Sequence, residues 1–247
     1  MLSIWIGRAG SGKSARVLET IQRERENRPQ LLLVPEHTSH EAELDLCRFC
    51  GPTACRSAEV LTFQSLATRV LGETGGLADV TLDNGGKLLT MRRCLQELHT
   101  QLKVFGRPSQ RSAFLHQLTT LADEFYAYQI APETLYHHVE DMEGAMGDKL
   151  RDVALIFAAY DAKLRHGGTD TRSRVQKLHD SLPQSHYLDG KDLYLDGFSF
   201  FNKQEESVLS LALRRCRSVT VTLLGDKTGQ QFQNAAAQKE RLVRMAR

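Results

Sequence analysis

The sequence predicts an α/β fold: a parallel sheet flanked by helices, interrupted by an all-helical insertion and then resumed. Three observations predict it. Short apolar runs alternate with helical patterns three times in about the first seventy residues. From Leu82 to about Ser181 no run reads as a strand, and three apolar stripes follow the helical period. Strand patterns then return at Leu193 and Val219. The expected domains are 1–80, an insertion over 81–185, and a return to the sheet over 186–247.

The first strand is the apolar run Leu2 to Ile6. A helix is expected from Lys13 to Arg28, with Val17, Leu18 and Ile21 on one face and Pro29 closing it. Leu31 to Val34 is a continuous apolar run, as expected of a strand buried on both faces. Pro35 ends it, and Thr38 to Phe49 reads as a helix. Val60 to Phe63 predicts a third strand running into a helix through Leu66, Val70 and Leu71.

In the insertion, Asp83 caps a helix with Leu88, Met91, Leu95, Leu98 and Leu102 in helical register. Phe114, Leu118, Leu121, Phe125 and Tyr128 form a second stripe, and Leu150, Val153, Phe157, Tyr160 and Leu164 a third. These read as the core of a helical subdomain. Leu193 to Leu195 is a short strand ending at Asp196-Gly197, followed by a helix over about Gln204 to Arg214. Val219 to Leu224 has the β-branched, alternating pattern of a strand. Asn234 to Arg247 reads as a helix without a closing signal, and the chain reads as part of a longer one.

The segment between the first strand and first helix carries the chemistry. Gly7, Arg8, Ala9, Gly10, Ser11, Gly12, Lys13 and Ser14 match G-x-x-x-x-G-K-[ST], the phosphate loop of P-loop NTPases, in the strand–loop–helix setting that the motif needs. The glycines let the backbone curl so that successive N–H groups point at phosphate oxygens. The helix beginning near Lys13 adds its positive end. Lys13 is expected to reach the β/γ-phosphates of ATP, and the Ser14 hydroxyl to ligate Mg²⁺. Arg8 either contacts phosphate or faces water.

Bulk properties narrow the class. At 247 residues, 41% hydrophobic and 25% charged, the chain has the composition of a soluble globular protein. No apolar run approaches the ~20 residues of a membrane span. With strand and loop at the start, no room is left for a secretory signal, and the expected location is cytoplasmic. The net charge of +2 favours no class of partner. Five cysteines (47, 50, 55, 94 and 216) suit reduced thiols. Cys47, Cys50 and Cys55 lack a fourth ligand at a zinc-like spacing and read as structural.

A phosphate-loop enzyme usually carries a second strand ending in an acidic residue that helps to hold Mg²⁺. Leu193-Tyr194-Leu195-Asp196 fits, which makes Asp196 the second metal residue. In helicase-type motors the next residue is usually a glutamate that polarises the attacking water. Here it is Gly197, so no catalytic residue is assigned; losing a general base costs ~10²–10⁴-fold in rate. Glu205 and Glu206 read as a solvated face rather than a relocated base. The expectation is a nucleotide binder with weak or no hydrolysis.

The ordered segments resemble AddB, one of the two subunits of the bacterial AddAB helicase–nuclease. They are Gly7 to Ser14, then Leu32-Leu33-Val34-Pro35-Glu36 leading into His37 to Glu43, Thr62 to Leu71, and Leu195-Asp196-Gly197-Phe198-Ser199-Phe200-Phe201 with Gln204-Glu205. Lys149 to Asp170 is also similar. The resemblance implies a superfamily-1 helicase-like first domain with a helical insertion. It implies DNA as ligand, an AddA-type subunit as heterodimer partner, and a role in double-strand break repair and recombination. Active relatives read Asp-Glu-Phe-Gln where this chain has Asp-Gly-Phe-Ser, so both signatures are lost, at Gly197 and Ser199. Only six residues precede Gly7, too few for the usual base-contacting glutamine. Gly225 to Gln231 resembles the segment that senses nucleotide and DNA together. The family's nuclease domain and iron–sulfur cysteines lie at its far C-terminus, so neither nuclease activity nor a cluster is expected here.

Within that resemblance, residues following the second and third strands border the carboxyl edge of the sheet, where ligands bind. His37, Thr38, Thr62, Phe63 and Gln64 are the expected DNA contacts, with Phe63 stacking on a base or packing under its helix. Two rival readings stand beside this one. An active motor needs a carboxylate beside Asp196, and a small-molecule kinase suits a hundred-residue helical insertion poorly.

Overall fold

The computed structural model describes residues 1–24, 28–51, 58–77, 83–106, 112–166, 173–225 and 233–246. Cys55, Asp170 and the stretch 226–231 of the relay-like segment lie outside the described residues. Contacts divide the chain into two compact units, Met1–Leu77 with Arg174–Arg247, and Ala78–Ser173.

Among the described residues the first unit is built on five parallel strands: β1 (Leu2–Gly7), β2 (Gln30–Leu33), β3 (Ala58–Leu61), β4 (Asp192–Leu195) and β5 (Ser218–Leu224). Their order is β1-β5-β4-β2-β3. The register runs Ile4↔Val221, Val221↔Leu195 and Leu195↔Leu33. β2 and β4 are buried at every position, whereas β1, at an edge, is mostly half-buried.

Alternation divides the side chains between two cores. On one face Trp5, Leu32, Val34 and Tyr194 meet Val17 and Ile21 of α1 (Lys13–Glu24) and Leu46 of α2 (Ser39–Cys50). On the other, Leu31, Leu33, Leu193, Leu195, Val219, Val221 and Leu223 form a larger core. It includes residues of α3 (Phe63–Thr74), α8 (Arg174–Ser181), α9 (Lys203–Arg215) and α10 (Gln233–Met245). Connections running toward β3 cross the α1/α2 face and those running toward β1 cross the other, as the fixed hand of parallel crossovers requires. At the amino edge, Arg217 donates to both oxygens of the buried Asp192, at 2.9 and 2.7 Å through Nη2.

The second unit contains α4 (Asn84–Leu98), α5 (Ser112–Ala127), α6 (Pro132–Val139) and α7 (Gly144–His166). Asp83 caps α4 by accepting from the Gly86 N–H at 2.7 Å. Met91, Leu95, Leu115, Leu118, Ile156 and Tyr160 build its core, with Phe125 against Phe157 at 4.9 Å. The buried Asp152 carboxylate accepts from the N–H groups of Lys103, Val104 and Phe105 at 2.7–3.0 Å, closing the turn after α4.

Several local expectations shift. The second helix is preceded by a 3-10 turn over Glu36–Thr38. The third strand ends at Leu61, because Thr62 caps α3 in a reciprocal capping box with Ser65. α6 was not expected, although Pro132 marks its first turn. α8 packs on α3 and α9, within the first unit rather than the insertion. Tyr128 lies beyond the end of α5 and is exposed.

Candidate functional site

The loop of residues 8–12 leaves the carboxyl end of β1 and enters α1 directly. Gly10 and Gly12 have φ of +72° and +81°, a region that side chains disfavour, so glycine is required at both for conformation. At Gly7 a Cβ would lie 2.4 Å from Ser11 Oγ, so a side chain there would push the Ser11 hydroxyl aside. The half-buried Lys13 ammonium lies across the loop, donating to the carbonyls of Gly7 and Arg8 at 2.8 Å each and to Ser11 Oγ at 3.4 Å. The Gly7 carbonyl also accepts from the Gly225 N–H at 3.1 Å, which ties the end of β5 to the loop. α1 has no acidic residue in its first turn, so none on the helix itself offsets its positive end. Arg8, Ala9, Ser11 and Ser14 are exposed.

Asp196 follows β4 on the α1/α2 face, and its N–H donates to the Leu33 carbonyl at 3.1 Å. Thr222 on β5 donates its hydroxyl to Asp196 Oδ1. β5 alone separates β1 from β4, so the loop strand and the Asp196 strand lie about 10 Å apart. Ser14 and Asp196 line one cavity of ≈ 190 Å³, together with Thr38, Glu41, Asp45 and Gly197. Hydroxyl and carboxylate oxygens are the donors that Mg²⁺ takes, and a loop needing two left-handed glycines suits polyphosphate; the residues present fit both groups. Among the described residues no cluster of three or more His, Cys, Asp or Glu is placed to hold a metal, so a cation here would complete its shell with ligand and water oxygens.

Gly197 has φ of +82°, so the position after Asp196 lacks a side chain and adopts a backbone that a glutamate disfavours. Beyond it Phe198 and Phe201 are buried against each other at 4.9 Å, and Phe198 meets Phe63 edge-on at 5.7 Å. Phe200, between them, is 60% exposed at the carboxyl edge. The stacking reading of Phe63 is therefore corrected: its ring is enclosed in the core and offers no face to a base. Among the described residues Phe200 is an exposed aromatic at this edge, and sequence reasoning missed it as a contact. The F-S-F-F run offers three rings at this edge but carries no period that says which of them turns outward.

The remaining edge residues separate by role. His37 and Gln64 are exposed, and Thr38 is half-buried, with its hydroxyl on the Pro35 carbonyl at 3.0 Å. Thr62 is buried; its hydroxyl caps α3 and donates to Glu36 Oε1 at 2.6 Å, joining the loops after β2 and β3. A structural cap is its observed work. Glu205 and Glu206 are no solvated face. Glu205 closes a capping box on Asn202 at 2.9 Å, and burial raises its pKa. Glu206, buried, pairs with Lys203 and Arg241 at 3.1 and 3.0 Å. Both are engaged in holding α9. Of the cysteines, Cys47 is exposed on α2, and Cys50, Cys94 and Cys216 are buried. No described helix is long and apolar enough to cross a membrane.

Comparison with known proteins extends this picture. A family model described as ADDB, N-terminal, matches residues 4–247. The B subunit of the ATP-dependent helicase/deoxyribonuclease of Geobacillus thermodenitrificans is 34% identical over 238 residues, which cover 92% of this chain and 20% of that protein. The proteins of the same description from Clostridium botulinum (strain Hall) and Clostridioides difficile are 32% and 30% identical, over 91% and 90% of the chain and 20% of each relative. The chain spans about a fifth of the length of the curated relatives it matches.

Proposed function

The chain belongs to the AddB family as its N-terminal region, and from that premise we propose that it binds ATP without hydrolysing it efficiently and uses that site to support a DNA-binding edge. Gly7 to Ser14 would hold the phosphates, with Lys13, now on its loop carbonyls, as the cation for them, and Ser14 and Asp196 would hold Mg²⁺. When bound, Mg²⁺ neutralises phosphate charge. The observation that carries the reading is the shared cavity of Ser14 and Asp196, with Gly197 where a base would stand.

His37, Thr38, Gln64 and Phe200 lie on loops or first helical turns at the same carboxyl edge, where a single strand of DNA would meet polar groups and one open ring. In the cell we place this region in the cytoplasm, in a heterodimer with an AddA-type subunit that processes broken DNA ends for repair and recombination. The relatives' description as helicase/deoxyribonuclease subunits supports that placement.

The test is titration of the purified protein with a fluorescent ATP analogue and Mg²⁺, beside ATP turnover, with and without single-stranded DNA. Wild type is expected to bind, with Lys13→Ala weakening binding at least ~10-fold. Turnover is expected below ~0.1 s⁻¹, a hundredth or less of a typical enzyme's ~10 s⁻¹. Phe200→Ala is expected to weaken single-stranded DNA binding by ~5–100-fold, the worth of one stacked base. Turnover of several per second that Lys13→Ala abolishes overturns the hydrolysis reading, and no binding at millimolar nucleotide overturns the site.

A further inference from the structure

Asp196 stands one residue past β4, on the face that carries α1 and α2. The register pairs Leu195 with Val221, so the next step along β5 brings Thr222 beside Asp196. Thr222 is in turn paired with Trp5 of β1, two residues before Gly7. One side chain on the intervening strand therefore stands between the loop strand and the acidic strand.

Thr222 is 3% exposed, and its hydroxyl donates to Asp196 Oδ1. The direction is fixed by chemistry, because an ionised carboxylate only accepts. Among the described residues no second side chain bonds that carboxylate. A β-branched side chain in a buried strand has little χ1 freedom, so the hydroxyl is a fixed donor. Oδ1 is held by Thr222, and Asp196 lines the cavity that Ser14 also lines, so Oδ2 is the carboxylate oxygen not committed to the sheet.

We propose that Thr222 is a positioning residue for nucleotide-bound Mg²⁺: it orients Asp196 so that one carboxylate oxygen faces the cation's water shell. This rests on the reading of Ser14 and Asp196 as the Mg²⁺ pair. Thr222 touches neither nucleotide nor metal; it acts through Asp196 alone. Partners of metal ligands of this kind typically cost 10–100-fold in metal affinity when removed.

The experiment compares wild type, Thr222→Val, Thr222→Ser and Thr222→Cys by binding of the fluorescent ATP analogue across a Mg²⁺ series and in EDTA. Thr222→Val keeps shape and strand preference but removes the donor. It is expected to need ~10–100-fold more Mg²⁺ for half-maximal binding, with affinity in EDTA unchanged. Thr222→Ser is expected to restore the wild-type Mg²⁺ midpoint, which a packing role would not do. In Asp196→Asn, adding Thr222→Val is expected to cause no further loss. A Thr222→Val protein with the wild-type Mg²⁺ midpoint overturns the proposal. Should Thr222→Val not fold, Thr222→Cys, a weak donor of similar size, must show an intermediate shift or the proposal falls. The underlying site fails separately: Lys13→Ala with wild-type affinity would remove the nucleotide site and with it anything for Thr222 to position.

Discussion

At the residue scale, Gly197 shows how backbone and side chain combine to limit chemistry. The left-handed turn after Asp196 has no Cβ, and adding one places it 3.4 Å from Pro35 Cδ, an ordinary contact. Space is available; conformation is the obstacle. Gly197→Glu is therefore expected to destabilise the protein by about 1–2 kcal/mol, the cost of holding an L-residue in this region. It is expected to leave ATP turnover unchanged, because the carboxylate is carried by a backbone turned away from the extended path of β4. Denaturant midpoints and steady-state turnover check both statements, and a rise of tenfold or more in turnover would overturn the second. The strand–loop–helix setting of Gly7 to Ser14 was legible in the sequence. The choice between Phe63 and Phe200 was not, because which ring of a loop turns inward depends on the core across the sheet.

At the scale of elements, continuous apolar runs made β2 and β4 legible, and the helical stripes made α4, α5 and α7 legible. What failed were ends and short pieces. Thr62 and Phe63 suit a strand by composition, but the capping box with Ser65 converts them to a helix start. α6 spans eight residues, too few for a periodic stripe. The seating of α3 against the segment after α8 is equally invisible in sequence, since Glu73 and Ser185 are 112 residues apart. There Glu73 accepts from Ser185 Oγ at 2.5 Å and the His186 N–H at 3.0 Å, and these bonds lower its pKa. A carboxylate with a depressed folded pKa adds stability that is present above its unfolded value and lost as pH falls through the folded one. Glu97 beside Lys163, Asp148 beside Lys103 and Asp189 beside His186 act in the same sense, and Glu205, raised by burial, acts in the opposite one. Glu73→Gln is therefore expected to be less stable than wild type at neutral pH and to lose less stability between about pH 5 and pH 3. Urea unfolding across that range measures it, and parallel pH curves would refute it.

At the scale of the whole molecule, the two units have separate cores, and the sheet unit holds together through contacts that bypass the insertion. Arg174 Nη1 donates to Thr68 Oγ1 at 3.2 Å, so α8 begins beside the middle of α3. From there to Leu77 is roughly 15 Å at helical rise, within reach of a flexible linker of about ten residues. Replacing 78–173 by such a Gly/Ser linker is expected to leave a protein that melts in one cooperative transition and still binds the ATP analogue. Loss of cooperative melting would show that the sheet unit needs the insertion to fold.

The strand order also sets a timetable for synthesis. Along this chain β1, β2 and β3 precede the helical unit, yet among the described residues β1 pairs with β5 alone, and the two strands that join the halves follow that unit. About 160 residues separate the end of β3 from the end of β5, which at roughly 5–20 residues per second is on the order of 8–30 s. For that interval a β2–β3 pair and an apolar β1 stand without β4 and β5, while the helical unit, whose core lies within 88–164, can already close. The loop of residues 8–12 is thus translated well before β4 and β5, the strands that complete the sheet beside it.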